Sequence, residues 1–283
     1  MKDNARRRAG GVEVWAYHRG MLGRANVVRA VVVVACAVLV VVAVFAFLRP
    51  GEASGAVEHA VAEEIARIDA GAHAGTNVET GAKVASGEAS SLPRSVQLDV
   101  PSYAQNPLLP TGCESVALTD VLAYRGFDLA TTDIADTWLP LSETDFVNAF
   151  MGDPSCVEGN SCMAPCIAQT ASAFLAAQGS ALVAYDATDM TVEVMLQTVA
   201  SGVPVVAWCT IDLVDPGVPY AVARQDGRVY ELYDVSHCVV VGGYDLNESV
   251  VYVSDPLEGQ VTYDLALFAS RYYELGAQAV VVA

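Results

Sequence analysis

Lysine is nearly absent from this 283-residue chain, which contains only Lys2 and Lys83. A phosphate-binding loop of the G-x-x-x-x-G-K-S/T type needs a lysine after its glycines, and neither position supplies one, so a nucleotide-driven motor is excluded. Histidine is also scarce. Of four in the chain, only His237 lies beyond residue 95. Beyond residue 48 there are 31 acidic and 8 basic side chains, a formal charge of −23. Nucleic acid is therefore excluded as a partner, because it needs a basic footprint. A solvated acidic face that maintains solubility accounts for this charge.

One long apolar run stands out. Ala30 to Leu48 is nineteen residues without a charge, nearly all Val, Ala, Leu and Phe, about the length that crosses a ~30 Å hydrocarbon core as a helix. Before it, Lys2, Arg6, Arg7, Arg8, Arg19, Arg24 and Arg29 face only Asp3 and Glu13, so the amino terminus is expected on the cytoplasmic side. Phe45 to Pro50 offers no small-x-small cleavage pattern, which favours an uncleaved anchor. The expected organisation is a basic cytoplasmic tail (1–29), a transmembrane helix (30–48), an extracytoplasmic linker (49–95) rich in Ala, Gly, Glu and Ser, and a folded domain (96–283). Within the linker, Val57, Val61, Ile65 and Ile68 recur at helical spacing and predict a short amphipathic helix near 56–70. His59 and His73 are expected to be solvent-exposed and inert.

From Val96 the pattern alternates between helix and strand. Val96 to Val100 reads as a strand, and the apolar spacing after Cys113 reads as a helix closed by Gly126. Further helices are predicted near 165–178, 191–201 and 265–275. Strands are predicted at 203–210, 237–244, 249–254 and 278–282. Helices come first and an antiparallel sheet second, which is an α+β arrangement.

Cys113 opens its helix, where unpaired N–H groups and the positive end of the helix dipole favour a thiolate. A cysteine nucleophile needs a base, and His237 is the sole imidazole of the domain. His237 and Asp255 flank a predicted hairpin and both numbers are odd. An odd loop would put them directly opposite on one face, with the carboxylate holding the ring. Gln105, eight residues before Cys113, offers an amide N–H for an oxyanion hole. Singly, each has an ordinary reading: a buried small thiol, a core histidine, an Asp-Pro strand terminator and a solvated glutamine. Their joint order favours the chemical one.

These residues sit in motifs that resemble a known family. Val100-Pro101, Gln105, L-P-T-G-C-E at 109–114, G-V-P-V-V-A-W at 202–208, S-H-C-V-V-V-G-G-Y-D at 236–245 and V-Y-V-S-D-P at 251–256 are similar to the papain-like cysteine peptidases related to the double-glycine leader peptidases, family C thirty-nine, especially their stand-alone relatives. The resemblance covers roughly 96–283. It implies a papain-like fold, with amino-terminal helices bearing the nucleophile packed on an antiparallel sheet that carries His and Asp. It also implies Cys113 as nucleophile, His237 as base, Asp255 as orienting residue and Gln105 as oxyanion-hole residue. Leader peptidases of that family are fused to ATP-driven exporters, and this chain has neither a P-loop nor several membrane spans. Peptide-bond hydrolysis is what carries over.

The expected function is that of a membrane-anchored extracytoplasmic cysteine peptidase acting on a peptide or protein, with no metal or other cofactor and no nucleotide. Two alternatives keep the same fold: a cell-wall peptide amidase or transpeptidase, and a catalytically silent binding or maturation module. Of the remaining cysteines, Cys36 falls in the apolar run. Cys156 could pair with Cys162 or Cys166 across the loop 152–165, and Cys209 with Cys238 between strands. A zinc site from Cys156, Cys162 and Cys166 lacks the usual paired spacing and a histidine. The loop 152–165 and the segment 212–227 are candidate rims of the cleft.

Overall fold

The computed structural model describes residues 7–9, 12–16, 59–68 and 92–283. Two short strands, β1 (Arg7–Ala9) and β2 (Val12–Ala16), precede helix α1 at residues 59–68. Val61 and Ile68 of α1 are buried against the domain with Ile65 beside them, as one apolar helical face requires. Glu64 accepts the N–H of Glu193 at 2.9 Å and the hydroxyl of Tyr273. This part of the expected linker is thus docked on the domain. His59 is exposed, whereas His73 and the run 30–48 lie outside the described residues. Among the described residues no helix is long and apolar enough to cross a membrane.

Strand β3 (Ser95–Gln97) leads to α2 (Cys113–Tyr124). Gly126, at φ +93°, ends α2 by sending its N–H to Ala123 O while Phe127 N–H reaches Leu122 O, the paired bonds of a left-handed helix stop. There follow α3 (Asp133–Thr137), β4 (Leu141–Ser142), β5 (Phe150–Met151), α4 (Ala164–Ala177), β6 (Ala184–Asp186) and α5 (Val192–Ala200). Pro165 suits the first turn of α4, where its missing N–H costs nothing. The Thr191 hydroxyl caps α5 by accepting Val194 N–H. The rest comprises β7 (Val205–Thr210), β8 (Ala221–Gln225), β9 (Arg228–Leu232), β10 (Ser236–Asp245), β11 (Val250–Asp255), β12 (Gly259–Asp264), α6 (Leu265–Glu274) and β13 (Ala279–Val282).

The main sheet is seven-stranded and antiparallel, in the order β12-β11-β10-β7-β13-β6, with β3 pairing β10 beyond the end of β7. Helices cover both faces. Helices α2 and α4 bury Val206, Trp208, Cys238 and Val240, and α1, α5 and α6 bury Val205, Ala207, Val239 and Val241. Strand β7 is consequently buried at all six positions, which is why its sequence reads as a continuous apolar run without alternation. The expected α+β architecture is present, with the helix of Cys113 packed on the strand of His237. The second helical layer completes a three-layer sandwich.

Segment 212–227, expected as a rim loop, instead feeds the hairpin β8–β9. Asp226 (φ 51°) and Gly227 (φ 82°) form its two-residue turn, the Asp-Gly type I′ connection whose twist matches the flanking strands. Strands β1 and β2 extend this hairpin into a second sheet, β1-β2-β8-β9.

The β10–β11 pairing departs from the expected odd-loop hairpin. Asp245 pairs with Val250, leaving a turn of four residues, 246–249, and an even turn alone would send His237 and Asp255 to opposite faces. Gly242 corrects this as an extra residue between the pairs Val241↔Val253 and Gly243↔Tyr252, a β-bulge that restores the shared face. Glycine suits both positions because β3 and the chain leaving it pass close by. A Cβ at 242 would lie 2.9 Å from Val100 Cγ2, and one at 243 would lie 2.5 Å from Val96 O. His237 and Asp255 therefore meet diagonally and not directly across, since Asp255 falls opposite Val239 by register.

Candidate active site

Each expected site residue is buried where two elements meet. Gln105 is 2 % exposed, Cys113 7 %, His237 2 % and Asp255 2 %. Two of them meet at the end of β10, where His237 Nε2 lies 2.8 Å from Asp255 Oδ1. The same carboxylate oxygen accepts Leu257 N–H at 2.7 Å, and Oδ2 accepts the Tyr263 hydroxyl at 2.6 Å. Burial works against charge on Asp255, but the imidazole, the phenol and the Leu257 N–H hold its carboxyl below the ordinary range. With Nε2 given to Asp255, Nδ1 is the ring's remaining nitrogen.

Cys113 is the first residue of α2, and its sulfur lies near the backbone of Cys238, next to His237. Helix start and imidazole thus share one strand end. The thiol donates to Glu114 Oε2 at 3.4 Å. Burial pushes the Cys113 thiol well above its ordinary pKa, and the adjacent Glu114 carboxylate pushes further, outweighing the Cys238 backbone. These influences oppose the thiolate that the helix N-terminus favours. The dipole is a local effect, whereas full desolvation of the thiol is a tertiary one.

Gln105 reaches the site through backbone and side chain. Its N–H donates to Pro256 O at 2.9 Å, immediately after Asp255. Its Nε2 donates to Pro110 O at 2.9 Å, and its buried Oε1 has no protein partner. One amide proton thus remains uncommitted.

Sequence reasoning missed three polar residues around this group. Glu114, fully buried, accepts Cys162 N–H at 2.9 Å and the Ser161 hydroxyl, while burial raises its carboxyl against the pull of those donors. Asp120, also fully buried, accepts Tyr103 N–H at 2.9 Å and the Ser254 hydroxyl at 2.7 Å, and burial raises it to about 7. Tyr263 is the third. A signal for the acids existed: α2 carries Glu114 and Asp120 without one basic residue, and buried acids must find donors elsewhere in the fold.

The six cysteines of the described residues are free thiols. Cys209 is opposite His237 and Cys238 opposite Trp208, so the two point to opposite faces and cannot form the inter-strand bridge considered above. Cys156 is exposed whereas Cys162 and Cys166 are buried. No group of three metal-ligating side chains occurs among the described residues. The loop bearing Cys156 packs against Thr111, two residues before Cys113. Thr111 donates its hydroxyl to Cys156 O at 3.0 Å and its N–H to Pro154 O at 3.3 Å, and a cleft of about 480 Å³ opens between this loop and Leu141, Ser142 and Glu143.

The chain is similar to several known proteins. The model of a family described as Peptidase_C39 like family matches residues 97–280. The protein named "Uncharacterized protein YvpB" of Bacillus subtilis (strain 168) is 28% identical over 196 residues, which cover 65% of this chain and 75% of that protein. A candidate C39-like peptidase from Bacillus anthracis superposes with a TM-score of 0.58 at 24% identity, over 67% of this chain and 97% of the other. Xylellain, a cysteine protease from Xylella fastidiosa, gives a TM-score of 0.38 at 12% identity over 72% and 94% of the two chains.

Proposed function

This chain belongs to the Peptidase_C39 like family, and on that premise we propose that it hydrolyses peptide bonds by acyl transfer through Cys113. The observation that carries this reading is the 2.8 Å bond between His237 Nε2 and Asp255 Oδ1, on the strand against which the helix of Cys113 packs. Asp255 holds the proton on Nε2, which leaves Nδ1 unprotonated as the acceptor. The raised thiol favours a neutral resting pair over a preformed ion pair. His237 Nδ1 takes the thiol proton as the sulfur attacks the carbonyl carbon. The developing oxyanion is received by the free Gln105 amide proton and a backbone N–H at the start of α2. The imidazolium then protonates the leaving amine, and water, deprotonated by the same ring, releases the acyl group from sulfur.

The substrate is a peptide or protein, and the apolar run 30–48 is a candidate anchor that would put the active domain outside the cytoplasm. A single crossing there and the pairing of Val12–Ala16 with Ala221–Gln225 exclude each other within one chain, because they put the amino terminus on opposite sides of the membrane. Protease protection of an amino-terminal tag in sealed vesicles, scored beside labelling of the exposed Cys156, separates them. The activity itself is tested by digesting a peptide library and, in parallel, muropeptides with the full chain and its Cys113→Ala form. Product that depends on Cys113 is expected from the library. Equal product from both forms refutes the assignment, and product from muropeptides alone transfers it to cell-wall amides.

A further inference from the structure

Nucleophile, oxyanion donor and His-Asp pair come from three separate pieces of chain: α2, the segment 100–105 and the β10–β11 hairpin. Their mutual placement must hold to a fraction of an ångström, because a 1 Å error can cost about 100-fold in rate. One side chain touches all three pieces. Asp120 lies two turns after Cys113 on the same side of α2. Its Oδ1 accepts the N–H of Tyr103, two residues before Gln105, and its Oδ2 accepts the hydroxyl of Ser254, the residue before Asp255. The Ser254 hydroxyl is also 3.4 Å from Pro101 O. A buried carboxylate without a cationic partner destabilises a fold, and an apolar side chain of similar volume would serve the core better. Core stability therefore does not explain this residue, whereas a tie between the three pieces does.

We propose that Asp120 is a positioning residue that sets the register of Gln105, Cys113 and Asp255 relative to one another. The inference rests on the peptidase reading for its consequence in turnover, but not for its geometry. Asp120→Leu removes both bonds and the buried charge while keeping the branched shape of the side chain. Asp120→Asn keeps both contacts, because its oxygen still accepts from Tyr103 and its amide donates to Ser254, whose hydroxyl can turn to Pro101 O.

In the full chain, Asp120→Leu is expected to lower kcat about 10- to 100-fold with KM nearly unchanged and with a melting temperature no lower than wild type. Asp120→Asn is expected to stay within a few-fold of wild type. The same variants are followed by iodoacetamide alkylation of Cys113 from about pH 5 to about pH 9, which needs no substrate. Asp120→Leu should displace the alkylation midpoint and Asp120→Asn should not. If Asp120→Leu does not fold, Ser254→Ala, which deletes one hydroxyl, is expected to show a smaller displacement in the same direction. A wild-type midpoint in Asp120→Leu, or in Ser254→Ala when it stands in, overturns the inference, as does an Asn variant as impaired as the Leu one. A displaced midpoint with no Cys113-dependent turnover in wild type overturns the peptidase reading alone.

Discussion

Replacing Glu114 with Gln should make Cys113 more reactive. The carboxylate is fully buried and its Oε2 is 3.4 Å from the sulfur, accepting the S–H. Two unit charges at that separation repel by about 5 kcal/mol at an effective dielectric near 20, which sets a ceiling of roughly 3.5 pKa units on what Glu114 adds to the thiol. The full ceiling applies only when Glu114 is ionised, and burial raises its own pKa. The penalty is therefore small in acid and grows as Glu114 loses its proton. Gln is nearly isosteric. Its carbonyl can still accept from Ser161 and Cys162, while its amide turns a donor toward the sulfur. Iodoacetamide alkylation of Cys113, read by mass spectrometry, should run at similar rates in both proteins near pH 5. The variant should become at least about 10-fold faster near pH 8, with a midpoint about one to three units lower. A folded variant with an unchanged or higher midpoint would show that burial alone raises the thiol and that the Glu114 charge is irrelevant to it.

Other perturbations test neighbouring contacts. Asp255→Asn leaves the imidazole without its tautomer-fixing acceptor and should lower kcat by about 100- to 10,000-fold with KM little changed, measured on whichever library peptide the wild type cleaves. Tyr263→Phe deletes a charge-assisted bond to Asp255 Oδ2 and should cost about 1.5–3 kcal/mol in urea unfolding near pH 7. The Asp255 carboxyl is depressed, so that loss should shrink as pH falls through its folded pKa. Asp120, raised to about 7, has the opposite sign: it favours the fold below its unfolded pKa near 4, and that advantage is lost as pH rises to about 7. From about pH 4 to about pH 8, Asp120→Asn should therefore gain up to about 4 kcal/mol relative to wild type. A stability difference flat with pH would refute that account.

The parts of this fold that were legible in the sequence are those written in one continuous stretch. Helix α4 and strands β7, β10 and β11 were each placed within two residues, because a long apolar run or helical period with a breaker at its end is local information. The hairpin β8–β9 was lost, although Asp226-Gly227 is a strong turn signal, because acids and prolines upstream gave the segment the texture of a loop. Choosing His237 and Asp255 required only that one imidazole was available and that an acid closed the partner strand. How they meet was not legible, because it depends on a one-residue bulge at Gly242. The thiol's raised pKa and the roles of Glu114 and Asp120 were hidden for a related reason. Their partners, Ser161, Cys162, Tyr103 and Ser254, reach α2 only after the chain has folded.

The bulge at Gly242 bears on how such chains can be recognised. An even turn with one extra strand residue gives the same facing geometry as an odd turn without it. The number of residues between base and orienting acid is therefore free to differ by one while the pair stays intact. A search that demands a fixed His-to-Asp spacing would discard sound sites. One that admits a single-residue offset wherever glycines interrupt the first strand of the hairpin would keep them.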